Sequence, residues 1–597
     1  MTMKKIITYV LSLFVVLAII VPRFYNLGSQ PPGLHIDEVS FAADAKAMAE
    51  TGRDTWNQSW PLIFKAFGEW KAPGLVYSMA FWSKIFGVMN NTIARLPSAI
   101  AGIAILLTLG LTLKELIPKK NWLIILFTIF VIAFSPWHFD MSRIFYEAFS
   151  ALALFAISLY FITRATLSQK PSLKFWILAA VFAALSGYWY ASIRYIVILS
   201  LSFSVVIQPW TLKLKLKNGL YLLAIILFVG IGWVGDLVSD KGLNRLHYYQ
   251  AKSKEGATLE IDEKRQYCYL SVNRDNQKVR PCYAIWNKPV LKITNIVKTY
   301  ATYLGSDYLF SKSISEFGVD SEYGAYLPPL SIIYLVGLFV VLKGCFTHIT
   351  SLFDPKVKSS ATDRTYLVYV ATALISLAPA GLANNVNMRM GLISLYIVAL
   401  IVGIGFYASY TWVGTYLRKW SLFVYLLFTL VLSFYIIQSV MHYFLVFTRS
   451  NDLMWTSDAG AVFSQIKSVS KDYDHIVDSE LHGPLAPYFY GDLTTSEVQN
   501  GSHSTPDAFG FTYLTQAGKY ELRHVNVTDL ACEKLAKHDT RKTLVITSPN
   551  PRLSEISKFA GRSWSGALLL REVYDVDDII AYELRVNDSF KQNCVPK

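Results

Sequence analysis

The stretch LPSAIAGIAILLTLGLTL, residues 96–113, contains no charged side chain. As a helix it would be about 27 Å long, close to the ~30 Å hydrocarbon core of a bilayer. Arg95 bounds it on one side, and Lys114, Lys119 and Lys120 bound it on the other. Similar apolar blocks separated by basic gaps recur along the chain. Of the 597 residues, 53% are hydrophobic and only 16% are charged, with a mean hydropathy of +0.35. That is too little charge to cover a soluble protein of this size.

The pattern predicts a polytopic α-helical membrane protein with about eleven spans. Lys4 and Lys5 precede the first apolar run, Ile6 to Val21, and hold the N-terminus inside by the positive-inside rule. No small-x-small cleavage site follows this run. Residues 22–95 then form a first outer loop too polar and too rich in Pro and Gly to span. Further spans are expected at 96–113, 122–134, 145–162, 175–186, 193–207, 220–237, 330–342, 366–377, 391–410 and 422–447. Residues 238–327 make a long outer segment, and 448–597 a separate extracytoplasmic α/β domain after a membrane domain at 1–447. Within that last domain, Ala459–Ser468 reads as a helix, and His475–Ser479 and Thr543–Ser548 read as buried strands. The net charge of +14 sits in short inter-span gaps, which argues against a nucleic-acid partner.

On this threading Cys268 and Cys282 share the long outer segment, Cys532 and Cys594 share the C-terminal domain, and Cys345 alone lies inside. Two disulfides outside and one free thiol inside fit the redox difference across a membrane.

The first outer loop holds Pro31-Pro-Gly-Leu-His-Ile-Asp37-Glu38, followed by Val39, Phe41, Ala42, Ala45 and Met48 at helical spacing. The two acids therefore open a helix expected near the membrane surface. Read locally, Asp37 is an N-cap and Glu38 complements the helix dipole. The same loop continues with Gly68-Glu69-Trp70-Lys71-Ala72-Pro73-Gly74 and ends in Arg95-Leu96-Pro97-Ser98.

This order of motifs resembles the GT-C type of membrane glycosyltransferase, in the branch of protein O-mannosyltransferases and lipid A aminoarabinose transferases. The resemblance covers residues 20–200 well and 290–400 in pattern. It implies a polyprenyl-phosphate sugar as donor, inversion at the anomeric carbon, and Asp37 as the catalytic base with Glu38 beside it. An acceptor hydroxyl needs a carboxylate to take its proton, and a leaving lipid phosphate needs cations at the membrane face. Lys71 matches a lysine that contacts the donor phosphate in the aminoarabinose transferases. The family's Glu-Lys-Pro is altered here: Trp70 stands in the carboxylate position and Glu69 lies one residue earlier.

Other candidates sit at expected span ends. Ser135-Pro-Trp-His138-Phe-Asp-Met-Ser-Arg143 is followed by Glu147; Tyr188-Trp-Tyr190-Ala-Ser-Ile-Arg194 forms the next outer turn; Arg389 opens the tenth span. Arg143, Arg194 and Arg389 are donor-phosphate candidates, and Glu69, His138, Glu147, Tyr188 and Tyr190 are substrate candidates. The plain alternatives are headgroup contact for the arginines and an i, i+4 pair for Arg143 and Glu147. Asp37 and Glu38 could hold a divalent cation, Mg or Mn, although neighbouring helix residues point in different directions. No zinc motif, Walker loop, dinucleotide fingerprint or Gly-x-Ser-x-Gly is present. A transporter or flippase predicts midplane charges and inverted repeats instead. A non-catalytic sensor leaves the acid and base pattern without a purpose. The acceptor (protein, lipid or polysaccharide) is open, and the 238–327 segment and the C-terminal domain are the expected places for its selection.

Overall fold

A computed structural model describes residues 3–67, 70–118, 121–168, 173–235, 258–270, 280–312, 314, 322–384, 386–448, 457–479, 481, 483, 485–506, 512–547, 568–576, 579–586 and 594. Glu69 and most of 238–279 lie outside these residues. The helices used below are, in chain order, α1 (Met3–Phe24), α2 (Ile36–Thr51), α3 (Pro73–Phe86), α4 (Asn91–Leu116), α5 (Trp122–Ala133), α6 (Pro136–Met141), α7 (Glu147–Leu167), α8 (Leu173–Ser186), α9 (Ile193–Val206), α10 (Leu212–Val229), α11 (Lys288–Leu304), α12 (Leu330–Phe353), α13 (Ala361–Ala383), α14 (Met388–Tyr416), α15 (Ser421–His442), α16 (Ser457–Val469) and α17 (Val527–Ala536). The chain divides into two compact units, Met1–Tyr25 with Pro97–Phe447, and Asn26–Leu96 with Thr448–Lys597.

The first unit is helical. Each of the eleven expected segments falls on a helix: α1, α4, α5, α7 to α10 and α12 to α15. Among the described residues six helices are long and apolar enough to cross a membrane: α4, α7, α12, α13, α14, and α15 with its continuation to Phe447. This is a multi-pass membrane protein. Four more apolar helices are shorter, among them α5, α8 and α9. At 12–14 residues these three are about 18–21 Å long, less than a hydrocarbon core. α14 is buried without a break from Gly391 to Phe406, whereas α15 buries only Leu432 and Ser439. α12 and α14 meet backbone to backbone, because a Cβ at Gly337 would strike the Ile401 carbonyl and one at Gly405 the Ile333 carbonyl. Cys268 and Cys282 form a disulfide, and Cys345 is free and buried.

The second unit joins the first loop to the C-terminal part of the chain. Strands β1 (Phe64–Lys65) and β2 (Trp70–Lys71) pair antiparallel. A seven-stranded sheet follows, built from β3 (His475–Asp478), β4 (Ser502–His503), β5 (Leu514–Ala517), β6 (Tyr520–Leu522), β7 (Thr543–Thr547), β8 (Leu568–Val576) and β9 (Ile579–Val586). Its order is β4-β5-β6-β3-β7-β9-β8, with β3 parallel to β6 and β7 and the other pairings antiparallel. β3 and β7 are buried throughout, as their apolar centres Ile476-Val477 and Leu544-Val545-Ile546 suit central strands. Val477, Val545 and Leu584 pack with Val527, Leu530 and Ala531 of α17, and the Cys532–Cys594 disulfide closes over that core.

One expectation changes here. α2 does not lie on a surface with a single apolar stripe: residues from Glu38 to Ala45 are buried without a break, and so are Ala47 and Met48. Its alanines let neighbours close on every side, and α3 and the short helices Ala486–Phe489 and Thr495–Gln499 do so.

Candidate active site

The N-terminus of α2 fixes two adjacent acids in different environments. His35, in extended conformation, is the N-cap, and not Asp37 as the local reading has it. Its Nδ1 accepts from the Asp37 amide at 3.2 Å, and its own amide donates to Glu38 Oε2 at 2.8 Å, completing a capping box. Arg95, fully buried, donates from Nε to Glu38 Oε1 at 3.1 Å and from Nη2 to Oε2 at 3.2 Å. It also donates to the carbonyls of Leu27 (3.2 Å), Pro31 (2.8 Å) and Gly33 (2.5 Å), so one guanidinium shapes the approach to α2. Tyr490 lies beside this pair, and burial pushes its hydroxyl well above the usual range. Asp37 differs. Its side chain is 45% exposed, and His35 Nδ1 lies 3.8 Å from its carboxylate.

Lys71 is buried. Its ammonium donates to Asp44 Oδ2 and to Ser40 Oγ, both at 2.8 Å, and lies 4.5 Å from the Phe41 ring centre. Asp44 also accepts from the amide and hydroxyl of Thr55, at 3.2 and 2.6 Å. Sequence reasoning missed Asp44, since nothing local marks a helix-interior aspartate as the partner of a lysine 27 residues away. Nearby Asp54 is buried too, and burial raises its carboxyl to about 6 although it accepts from the amides of Gln58 and Trp56.

The C-terminal part of the chain holds α2 along its length. Lys46 Nζ donates to the Tyr488 carbonyl at 2.9 Å and lies 4.2 Å from the centre of that ring. The Tyr488 hydroxyl meets Thr495 Oγ1 at 2.9 Å, and Thr495 donates to Glu50. Gln499 Nε2 serves Thr51 Oγ1 and the carbonyls of Arg53 and Asp54, at 2.9, 3.3 and 3.1 Å. Trp56 stacks on His503 at 3.7 Å.

In the helical unit most candidates are engaged with backbone. His138 is fully buried, with Nε2 on the Gly102 carbonyl at 3.1 Å and Nδ1 on Arg23 Nη2 at 3.0 Å. Arg23, which the sequence reading did not single out, also donates to the carbonyls of Ile19 and Ala133, each at 2.5 Å. Arg143 donates to the carbonyls of Pro22 and Tyr25, the latter at 2.8 Å, and lies 4.8 Å from the Phe444 ring centre. Arg194 donates to the Gly187 carbonyl at 2.9 Å. The Tyr188 hydroxyl donates to the Val229 carbonyl at 2.9 Å, and Glu147 is the half-buried first residue of α7. Arg389 and Tyr190 are brought together. They line an open pocket with Ser192, Ile193, Ile196 and Ile393.

Among the described residues no three His, Cys, Asp or Glu side chains gather as a metal-binding group. Glu38 is taken up by Arg95 and the His35 amide, so the adjacent acids do not offer a cation two open carboxylates.

No family model matches the chain, and no curated protein matches it. Among solved structures it is similar to ArnT from Cupriavidus metallidurans bound to undecaprenyl phosphate. The identity is 13% over 98% of this chain and 99% of that one, with a TM-score of 0.44. It is also similar to an oligosaccharyltransferase of Archaeoglobus fulgidus tethered with an acceptor peptide. There the identity is 11% over 96% of this chain and 74% of that one, with a TM-score of 0.47. Both structures are of the GT-C type.

Proposed function

We propose that this chain is a membrane glycosyltransferase that moves a sugar from a polyprenyl phosphate to an acceptor hydroxyl at the extracytoplasmic face. The observation that carries the reading is the division of labour between Asp37 and Glu38. Glu38 is spent on the Arg95 pair and holds the turn. Asp37 is half-exposed, with His35 Nδ1 3.8 Å from its carboxylate, and can take a proton.

In the proposed step Asp37 removes the acceptor hydroxyl proton as that oxygen attacks the anomeric carbon. The bond from this carbon to the phosphate oxygen breaks, polyprenyl phosphate leaves with the electron pair, and the configuration inverts. The Arg389–Tyr190 cavity suits the donor's chemistry: a guanidinium for the phosphate, with Ile193, Ile196 and Ile393 for the first isoprene units. Arg143 and Arg194, which hold backbone carbonyls, are supports in this scheme. Lys71 is a support for α2 through Asp44. The N-terminus is cytoplasmic and the C-terminal part extracytoplasmic.

The test is transfer of radiolabelled sugar from a panel of undecaprenyl-phosphate monosaccharides by the purified full chain. Asp37→Asn should abolish transfer while leaving the melting temperature unchanged, and Arg389→Ala should raise the donor KM. Wild-type protein that transfers from no donor would sink the reading; an active Asp37→Asn would remove Asp37 as base.

A further inference from the structure

Of the six helices able to cross a membrane, α15 with its continuation to Phe447 is the least covered by the rest of the protein. It rests on α14 through Tyr425 on Tyr410 and Phe428 on Phe406, with ring centres 5.6 and 6.0 Å apart. The Tyr425 hydroxyl also donates to the Tyr410 carbonyl at 3.0 Å. A different side of the helix presents Leu427, Val431, Phe434, Gln438 and Met441, all exposed. These follow one another in steps of four, three, four and three residues, the spacing of one seam of a left-handed helix pair.

One member of the seam is out of place against acyl chains. Gln438 is the only side-chain amide in α15, which has no Asp, Glu, Lys or Arg. It is exposed, and among the described residues no hydrogen bond reaches its side chain. It stands four residues from the middle of the Ser421–Phe447 span. With that span centred in a bilayer, Gln438 lies about 6 Å from the midplane, well inside a ~30 Å hydrocarbon core. Neither lipid tails nor water serve a carboxamide at that depth, and leaving it unbonded is costly.

We infer that this seam is the interface between two copies of the chain, with their Gln438 amides bonded to each other across a twofold axis normal to the membrane. The amide itself identifies the occupant. It carries both donor and acceptor, so it is complementary to its own copy. Two copies of the same topology hold Gln438 at equal depth, and near a twofold axis a residue meets itself. The apolar seam positions then interlock on either side, and the single polar position sets the register.

The test uses the full chain in phosphatidylcholine–phosphatidylglycerol proteoliposomes, in a Cys345→Ser background that keeps both disulfides. Cysteines are introduced singly as Phe434→Cys, Met441→Cys and, for an exposed control elsewhere on α15, Thr429→Cys. Oxidation by copper phenanthroline should join chains through 434 or 441 into covalent dimers, with a yield severalfold above that at 429. Adding Gln438→Leu, which keeps the bulk and removes the amide, should cut that yield severalfold. Equal yields at all three positions would mean random collision, and an undiminished yield with Gln438→Leu would mean that the amide joins nothing; either overturns the inference. Chains that stay monomeric overturn it too. Ready labelling of 434 and 441 by a bilayer-soluble maleimide would then place lipid on the seam, and protection there would place another part of the same chain over it. The readout needs no sugar donor, so it stands or falls independently of glycosyl transfer.

Discussion

At the entrance of α2 a buried arginine meets a carboxylate; at the end of α1 a buried arginine meets carbonyl oxygens and an imidazole. Arg95 and Glu38 neutralise one another, and each would be stranded without its partner. Arg23 has no such partner: Ile19, Ala133 and His138 supply acceptors, Arg143 lies near with like charge, and among the described residues no carboxylate bonds to it. The same side chain thus does two jobs. One arginine fixes an acid so that its neighbour can be used, and the other ties helix ends together while leaving positive charge in the helical unit.

The sharpest break in this comparison lies between the two acids. Asp37→Asn should lower turnover about 10²–10⁴-fold, the usual worth of a general base, with no change in melting temperature. A drop in melting temperature would mean that Asp37 is structural. Glu38→Gln or Arg95→Met should do the opposite, lowering stability by about 3–5 kcal/mol in thermal unfolding, because the surviving charge stays buried. Arg23→Met should be milder, about 1–3 kcal/mol, since it orphans neutral acceptors only. If it matches Arg95→Met, Arg23 has an acidic partner after all.

A fourth test concerns pH. The Asp54 carboxyl titrates near 3.8 in the unfolded chain and about 6 in the folded one. Between these values the folded state holds a proton that the unfolded state has lost. Stability should therefore fall by about 1–2 kcal/mol as pH rises from about 4 to about 6. Asp54→Asn, which retains the Oδ1 acceptor for Trp56 and Gln58, should flatten that slope in melts taken across this range. The smallest effect belongs to Gln499→Ala, about 1 kcal/mol for bonds at a partly exposed site, read as earlier fraying of α2 by hydrogen exchange.

Length, apolarity and basic gaps made the helical segments legible, because the period of an uncharged eighteen-residue run leaves few alternatives. β3 and β7 were legible as short apolar centres, Ile476-Val477 and Leu544-Val545-Ile546, between polar residues. The environment of α2 was not. Alanine at positions 42, 43, 45 and 47 reads as a weak stripe on an exposed helix and equally as a helix packed on all sides, and only tertiary structure separates the two. Arg95 stood in a quoted motif, yet its partner lay 57 residues away in sequence. Lys71 was found as a cation, but its anion is Asp44 and not one visible in its own motif. Arginines at span ends drew attention as phosphate groups, although carbonyls at helix termini satisfy several of them. Sequence position does not distinguish these uses.

The bonds from Tyr488 and Gln499 to α2 also bear on how the protein is made. They join residues 442 to 448 positions apart. At ordinary synthesis rates of about 5–20 residues per second, α2 leaves the ribosome roughly 20–90 s before the segments that close over it. During that interval the helix bearing Asp37 has been translated without its last supports. The finished site thus depends on translation reaching Gln499, and a chain released before that point carries the acid without the frame that orients it.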